Sequence, residues 1–438
     1  VEWYFVLLLL LGSFILIMMT GLPISFSFFF ISLAGALFFF PSDTGLKQIT
    51  LNIYSSLASF RLMPLPLFIL MGEVMFQSGL APKMIDTLDS WLGRLPGRLG
   101  VLAIGGGVLF SMLTGTTMGS VAMLGSTLVP EMEKRGYKKP MSLGPILGSG
   151  GLAIMIPPSA MAVFIGAIAK ASIGQVLLAI IIPGLVMAIL YCLYIFIRCT
   201  LQPSIAPPYE VPSIPLSEKL INTAKYILPI SLVVFLVVGV ILLGIATPTE
   251  AAATGTLGMI ALAAIYKRLN WKIMKKVLTD TVKITGMMML IIASATTYSQ
   301  ILAASGATRG LIDFVTTLSL QPMFIVIGMV ISLLFFGMFM SPSAIVLITV
   351  PLFIPIIQLL GFNTVWFAVV VLLCTEIATT SPPFGSTLFV MKGVAPPDTT
   401  MGDIMKAALP FIYCDLIALV LLIAFPAIAL WLPSLMVK

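Results

Sequence analysis

Four carboxylates, Glu73, Glu250, Glu376 and Asp415, lie in apolar sequence. A carboxylate at bilayer depth is costly to bury, so it marks an ion path or faces a group that neutralises it. Glu376 is the best placed, because it leads into CTEIATTSPPFGST (374–387), where two prolines follow a run of hydroxyls. A second such stretch, GSGGLAIMIPPSA (148–160), stands 225 residues earlier. Proline has no amide N–H and clashes with the preceding turn, so a Pro-Pro pair breaks a helix. The freed backbone groups survive in a membrane only where protein or a water-filled cavity lines them. Two further segments are small and hydroxyl-rich, SMLTGTTMGS (111–120) and GMFMSPSA (337–344).

Neutral hydroxyl and carbonyl oxygens suit Na⁺ and not a transition metal, which prefers nitrogen or sulfur. The first candidate cluster joins Ser111, Thr114, Gly115 and Thr116 to Ser149, Ala153, Ile156 and Ser159. The second joins Gly337, Ser341 and Ser343 to Ala378, Thr379, Ser381 and Phe384. The apolar members enter as backbone carbonyls. The hydroxyls of Thr116, Thr117, Ser159, Ser343 and Ser386 are candidates to hold a substrate, and helix N-termini add to them if it is an anion. Small residues in membrane helices also serve close packing, and a carboxylate can be a structural hydrogen-bond partner. Histidine is absent, which removes the commonest general base and metal ligand. Four cysteines without metal or disulfide spacing read as packing. No catalytic constellation remains, so an enzyme is not expected.

Apolar residues make up 60% of the 438 and charged residues 9%, against about 25% charged in a soluble globule. The chain therefore reads as an all-α polytopic membrane protein. Its net charge of +7 then belongs to cytoplasmic loops rather than to a nucleic-acid site. The offset of 225 also relates Pro130 to Pro355, Gly136 to Gly361 and Pro23 to Pro248, so the whole chain reads as a duplication.

Spans are expected at 2–20, 22–40 and 62–80, with an amphipathic arm at 43–61. A re-entrant hairpin follows at 99–133, its arms about 12 to 14 residues long and too short to span. The broken helix is 140–170 and a last span 174–198. The second half repeats this order: spans at 226–245 and 248–266, an arm carrying Lys272, Lys275 and Lys276, and a span at 286–304. A hairpin at 322–360, a break within 364–392 and a span at 405–432 complete it. The first repeat is then 1–200 (1–98 scaffold and arm, 99–172 hairpin and broken helix, 173–200 last span). A cytoplasmic linker covers 201–224. The second repeat is 225–438 (225–320 scaffold and arm, 321–397 hairpin and broken helix, 398–438 last span). Five crossings per half make the repeats inverted. With the N-terminus outside, 17 of the 23 basic residues fall in inner loops, as the positive-inside rule requires.

GTTMGSVAMLGSTLVPEMEKRGY (115–137), SGGLAIMIPPSA (149–160), TPTEAAA (247–253) and SPPFGSTLFVMKGVAP (381–396) together resemble the large membrane subunit of tripartite ATP-independent periplasmic (TRAP) transporters. The resemblance covers nearly the whole chain. It implies a Na⁺-driven secondary transporter of the bacterial inner membrane, working by an elevator motion of hairpins and broken helices against a scaffold. It implies as partners a separate small membrane subunit and a periplasmic binding protein that delivers an organic anion, all in contact with membrane lipid. The sialic-acid branch places an acidic residue in the second hairpin tip, where this chain has Ser341, which argues against that solute. A stand-alone sodium–dicarboxylate carrier of the same architecture is the alternative.

The charge bias puts both termini in the periplasm and 201–219 in the cytoplasm. A single cysteine placed in 201–219 should therefore resist a membrane-impermeant thiol reagent in intact cells and react after permeabilisation.

Overall fold

The computed structural model describes residues 2–40, 44–79, 81–93, 95–114, 117–209, 214–318 and 320–436, with backbone only for 81 and 111–114. Among these residues the chain is all α-helical, with 22 α-helices and no strand. It opens with α1 (Trp3–Met19), α2 (Ile24–Phe39), α3 (Thr44–Leu57), α4 (Pro64–Ser78) and α5 (Ala81–Trp91). The first hairpin is α6 (Arg98–Thr114) and α7 (Thr117–Lys134), and the first broken helix is α8 (Lys139–Met155) and α9 (Ala160–Ile168). α10 (Ile173–Ala179) and α11 (Ile181–Leu201) close this half, and α12 (Leu216–Asn222) lies in the linker. The second half runs α13 (Leu228–Leu242), α14 (Pro248–Ile265), α15 (Trp271–Ala304) and α16 (Ala307–Thr317). Its hairpin is α17 (Pro322–Gly337) and α18 (Pro342–Leu359), and its broken helix is α19 (Thr364–Thr380) and α20 (Ser386–Val394). α21 (Met401–Ala424) and α22 (Ala427–Ser434) finish the chain. The helix order thus recurs, and α8 and α19 begin and end 225 residues apart.

Both breaks fall where the prolines require. α8 stops at Met155 and α9 leaves at 47° to it, while α19 stops at Thr380. The Pro157–Pro158 and Pro382–Pro383 bonds are both cis. Six helices are long and apolar enough to cross a membrane, or seven if α8 and α9 count as one span. Ten crossings were expected from sequence. The difference lies partly in α1, α2 and α19, which have 17, 16 and 17 residues. At 1.5 Å per residue they reach only about 25 Å, short of a hydrocarbon core of about 30 Å.

Two expectations are corrected. The arms of the first hairpin are 17 and 18 residues long, not about a dozen, because the helices run on into the small, hydroxyl-rich tip. In the second half the arm and the following span are not separate elements, for α15 is one helix of 34 residues. Proline marks the difference: Pro64 and Pro66 stand at the start of α4, and at the local offset of 227, at which Gly79 matches Gly306, the corresponding positions hold Ile291 and Ala293.

The halves pack across each other. α2 lies against α15, and α4 against α14 and α15. α8 sits at the centre of the other group, touching α6, α7, α11, α19 and α21. Lys139 ties this second group at one end: its ammonium meets Glu133 at 3.1 Å, Asp398 at 2.8 Å and the Thr399 hydroxyl at 2.7 Å. Its hydrogen bond holds the exposed Asp398 carboxyl below the usual carboxylate range. Lys392 of α20 donates to the Thr399 carbonyl at 2.5 Å, so the loop between α20 and α21 is held by Lys139 at the start of α8 and by Lys392 near the end of α20.

Candidate functional site

The hairpins meet the breaks through missing side chains. A Cβ built on Gly337, at the end of α17, would come within 2.7 Å of the Ala378 Cβ on α19. In the first copy a Cβ on Gly150 would fall 2.3 Å from Val121 of α7 and 3.5 Å from the Thr117 carbonyl oxygen. Next to it, a Cβ on Gly151 would overlap the Glu376 carboxyl, 1.3 Å from Oε1. Glu376 is the repeat counterpart of Gly151, so the two broken helices touch at equivalent positions, and only because one copy has no side chain there.

The Glu376 carboxyl is fully buried. Its Oε2 accepts from the Thr379 hydroxyl at 3.4 Å, and Oε1 has no hydrogen-bond partner among the described residues. Asp415 is equally buried, takes a hydrogen bond from the Tyr191 hydroxyl through Oδ1, and has no partner at Oδ2 among the described residues.

Prolines also free carbonyls. Pro157 and Pro158 cannot donate to Ala153 and Ile154, nor Pro382 and Pro383 to Ala378 and Thr379, since these are the i−4 positions of an α-helix. The Thr379 carbonyl is satisfied instead by the Thr387 hydroxyl at 2.6 Å. Ala153 and Ala378 therefore carry carbonyls that lack their helical amide, next to the hairpins, and a neutral oxygen set of this kind fits Na⁺.

Between the two breaks and the two tips lies a cavity of about 400 Å³. Thr117, Ala160, Pro342 and Ser386 line it, and these are the first residues of α7, α9, α18 and α20. Four helix N-termini, each the positive end of its helix dipole, thus meet at one cavity, with one amide of α9 and one of α18 already capped by Ser159 and Ser341. α4 contributes Phe68 and Glu73, and α15 contributes Met287 and Met288. Among the described residues no basic side chain lines it. The two copies differ in polarity. Ile154, Met118 and Met161 of the first correspond to Thr379, Ser343 and Ser386 of the second, and all six face the cavity. The Ser386 hydroxyl is buried without a partner among the described residues.

Residues 11–428 match the family model "Tripartite ATP-independent periplasmic transporter, DctM component". The chain belongs to this family. It is a TRAP transporter large subunit. It is 31% identical over 394 residues to the C4-dicarboxylate TRAP transporter large permease protein DctM of Pseudomonas aeruginosa, covering 90% of this chain and 91% of that one. It is 28% identical to the ectoine TRAP transporter large permease protein TeaC of Halomonas elongata, covering 98% and 99%. Among solved structures, the YdaH transporter of Alcanivorax borkumensis shares the fold with a TM-score of 0.64 at 16% identity, over 88% of this chain and 90% of that one.

Seen as a DctM-family site, the sequence candidates divide. Thr117, Ser341, Ser343, Thr379, Ser386 and Glu73 line the cavity. Ser159 does not: its hydroxyl is buried and caps α9, accepting from the Ala162 N–H at 3.3 Å. The Ser149 and Ser381 hydroxyls donate to carbonyls one turn back, Ile146 at 3.1 Å and Ile377 at 2.7 Å, and keep lone pairs for a cation. Ile156 is buried, while the Phe384 ring is exposed and tilts against Phe339. Gly115 and Thr116 lie outside the described residues, as does the Ser111 side chain. Glu250 is a correction. It is exposed and forms a capping box with Thr247, accepting from that residue's N–H and hydroxyl at 2.8 Å each, so it starts α14 and leaves the site alone. Sequence reasoning missed the methionines Met118, Met161, Met287 and Met288. Setting the two copies side by side at the 225 offset would have exposed the first two as partners of serines.

Gly151→Ala should destabilise the purified protein by about 1–3 kcal/mol, the cost of overpacking a filled core. Glu376→Ala in the same chain should recover much of that loss, since residues in contact are non-additive. Thermal unfolding of the two single variants and the double variant in detergent measures the coupling. Additive losses would remove the contact from the account.

Proposed function

We propose that this chain is the membrane-embedded permease of a Na⁺-driven importer of organic anions in the bacterial inner membrane. The observation that carries the reading is the cavity at which four helices begin and which no basic side chain lines. Its N–H groups and dipole ends attract an anion, yet no fixed cation of the protein neutralises one there. Na⁺ bound at the hairpin–break pairs supplies the missing positive charge. Ser111, Gly115, Ser149, Ala153, Ile156 and Ser159 are the oxygens for one ion, and Gly337, Ser341, Ala378, Ser381 and Phe384 for the other.

The relatives' names point to small solutes that bear a carboxylate or a sulfonate. The polarity of the two copies supports an orientation. The carboxylate lies toward Ser343, Ser386 and Thr379, and the carbon skeleton toward Met118 and Met161. Phe68, Glu73, Met287 and Met288 come from the other group of helices, so the cavity sits where α4 and α15 face the hairpins. This supports an elevator in which 99–172 and 321–397 slide against a scaffold built from 1–98 and 225–320 in two inverted halves. A separate small membrane subunit would extend that scaffold, and a periplasmic binding protein would deliver the solute. Both termini would be periplasmic.

Ser381→Ala should weaken Na⁺ binding by about 1–3 kcal/mol, the scale for leaving a buried polar partner unsatisfied. The Na⁺ concentration for half-maximal uptake in proteoliposomes should then rise roughly five- to 150-fold, with partial rescue by excess Na⁺. Wild-type uptake that runs equally well on a proton gradient in Na⁺-free buffer would sink the sodium assignment. Uptake at full rate by this chain without partner proteins would favour the stand-alone carrier.

A further inference from the structure

A second polar cavity, of about 510 Å³, shares no lining residue with the first. Its walls are the end of α3 and the turn before α4, the end of α9, residues 292–300 of α15, and residues 350–358 of α18. α9, α15 and α18 line both cavities. Ile291 faces one and Ile292 the other, and Phe164 and Ala167 divide in the same way along α9. The two cavities are therefore stacked along α9 and α15.

Their chemistry differs. The first has no basic residue, and the second has two, Arg61 and Lys170. Both are exposed, and among the described residues neither is in an ion pair. No Asp or Glu lines this cavity. Lys170 is one of two non-glycine residues with positive φ, at 53°, in the turn that ends α9, a conformation rare for a residue with a Cβ. In the same cavity the Ser56 and Thr296 hydroxyls pair at 2.7 Å, and the Gln300 Oε1 is buried without a donor among the described residues. Arg61 and Lys170 also fall on the side that the charge bias assigns to the periplasm.

We propose that this cavity is a second anion site, an antechamber that takes up a small hydroxylated organic anion before it reaches the four-helix pocket. This rests on the importer reading above. Unpaired cations in a half-enclosed cleft with low-dielectric walls concentrate anions locally. The carboxylate would meet Arg61 and Lys170, and a hydroxyl of the solute would donate to the waiting Gln300 Oε1. Loose, solvent-screened attraction at the exposed antechamber and ion-dependent holding at the pocket let a solute enter without being trapped at the mouth.

The test is equilibrium binding of radiolabelled malate, a C4 hydroxy-dicarboxylate, to the purified full chain in Na⁺-free buffer, which needs neither transport nor partners. Saturable binding is expected. Arg61→Gln with Lys170→Gln should weaken it about tenfold or more, the scale for losing a charged hydrogen-bond partner. Lys170→Arg should keep it. Gln300→Leu, which removes the acceptor and leaves both cations in place, should also weaken malate binding, whereas a role of the two cations in docking alone would leave it intact. Raising salt from about 0.01 M to about 0.15 M shortens the screening length from about 30 Å to about 8 Å and should weaken wild-type binding. Absence of saturable binding overturns the antechamber. So does binding that survives loss of both cations and disappears instead in Ser343→Ala with Ser386→Ala, which would put malate in the four-helix pocket and leave the importer reading standing.

Discussion

A backbone polar group inside a membrane has to find its partner within the protein. Every feature of the site follows from that constraint acting on two Pro-Pro pairs. The prolines end α8 and α19 in mid-course and deprive four carbonyls of their helical amides. New helices, α9 and α20, start a few residues later with unpaired N–H groups of their own. Such ends are tolerable only if they are buried together, and here they are buried beside the tips of two hairpins. The result is a lined cavity at which the same helix ends and freed carbonyls meet.

Duplication supplies the ends in pairs, and divergence makes the pair useful. A perfectly symmetric pocket would present the same groups to both ends of a solute. Here the second copy carries Thr379, Ser343 and Ser386 where the first has Ile154, Met118 and Met161. Divergence also resolves a steric conflict. Two copies of Glu376 could not face each other at the crossing of the broken helices, and Gly151 leaves the space for one. Pro64 and Pro66 tell the same story in the outer helices. They divide the first copy into arm and span, while their loss in the second leaves α15 as a single long strut against α2, α3 and α4.

The carboxylates show why residue type alone is a poor guide to role. Glu250 is three residues beyond a threonine and becomes a helix cap in the open. Glu73 faces the cavity, Glu376 lies behind it against a bare Cα, and Asp415 is bonded to Tyr191 from the far end of the first half. All four are carboxyl side chains and all four sit in apolar sequence. Their surroundings, not their composition, separate them.

The sequence by itself determined the membrane class, the duplication, the two breaks and the two hairpin segments. Each is written in local chemistry: apolar composition, proline's missing N–H, and matching residues at one constant offset. It also determined which carbonyls would lose their helical partners, because that depends only on positions four residues before a proline. Only the tertiary structure decided which hydroxyls face the cavity, that α4 and α15 supply the opposite wall, and that Gly151 answers Glu376. These are contacts between segments about 225 residues apart or on different helices, set by which faces pack together. A helical sequence shows which residues share a face, but not which other helix that face will meet.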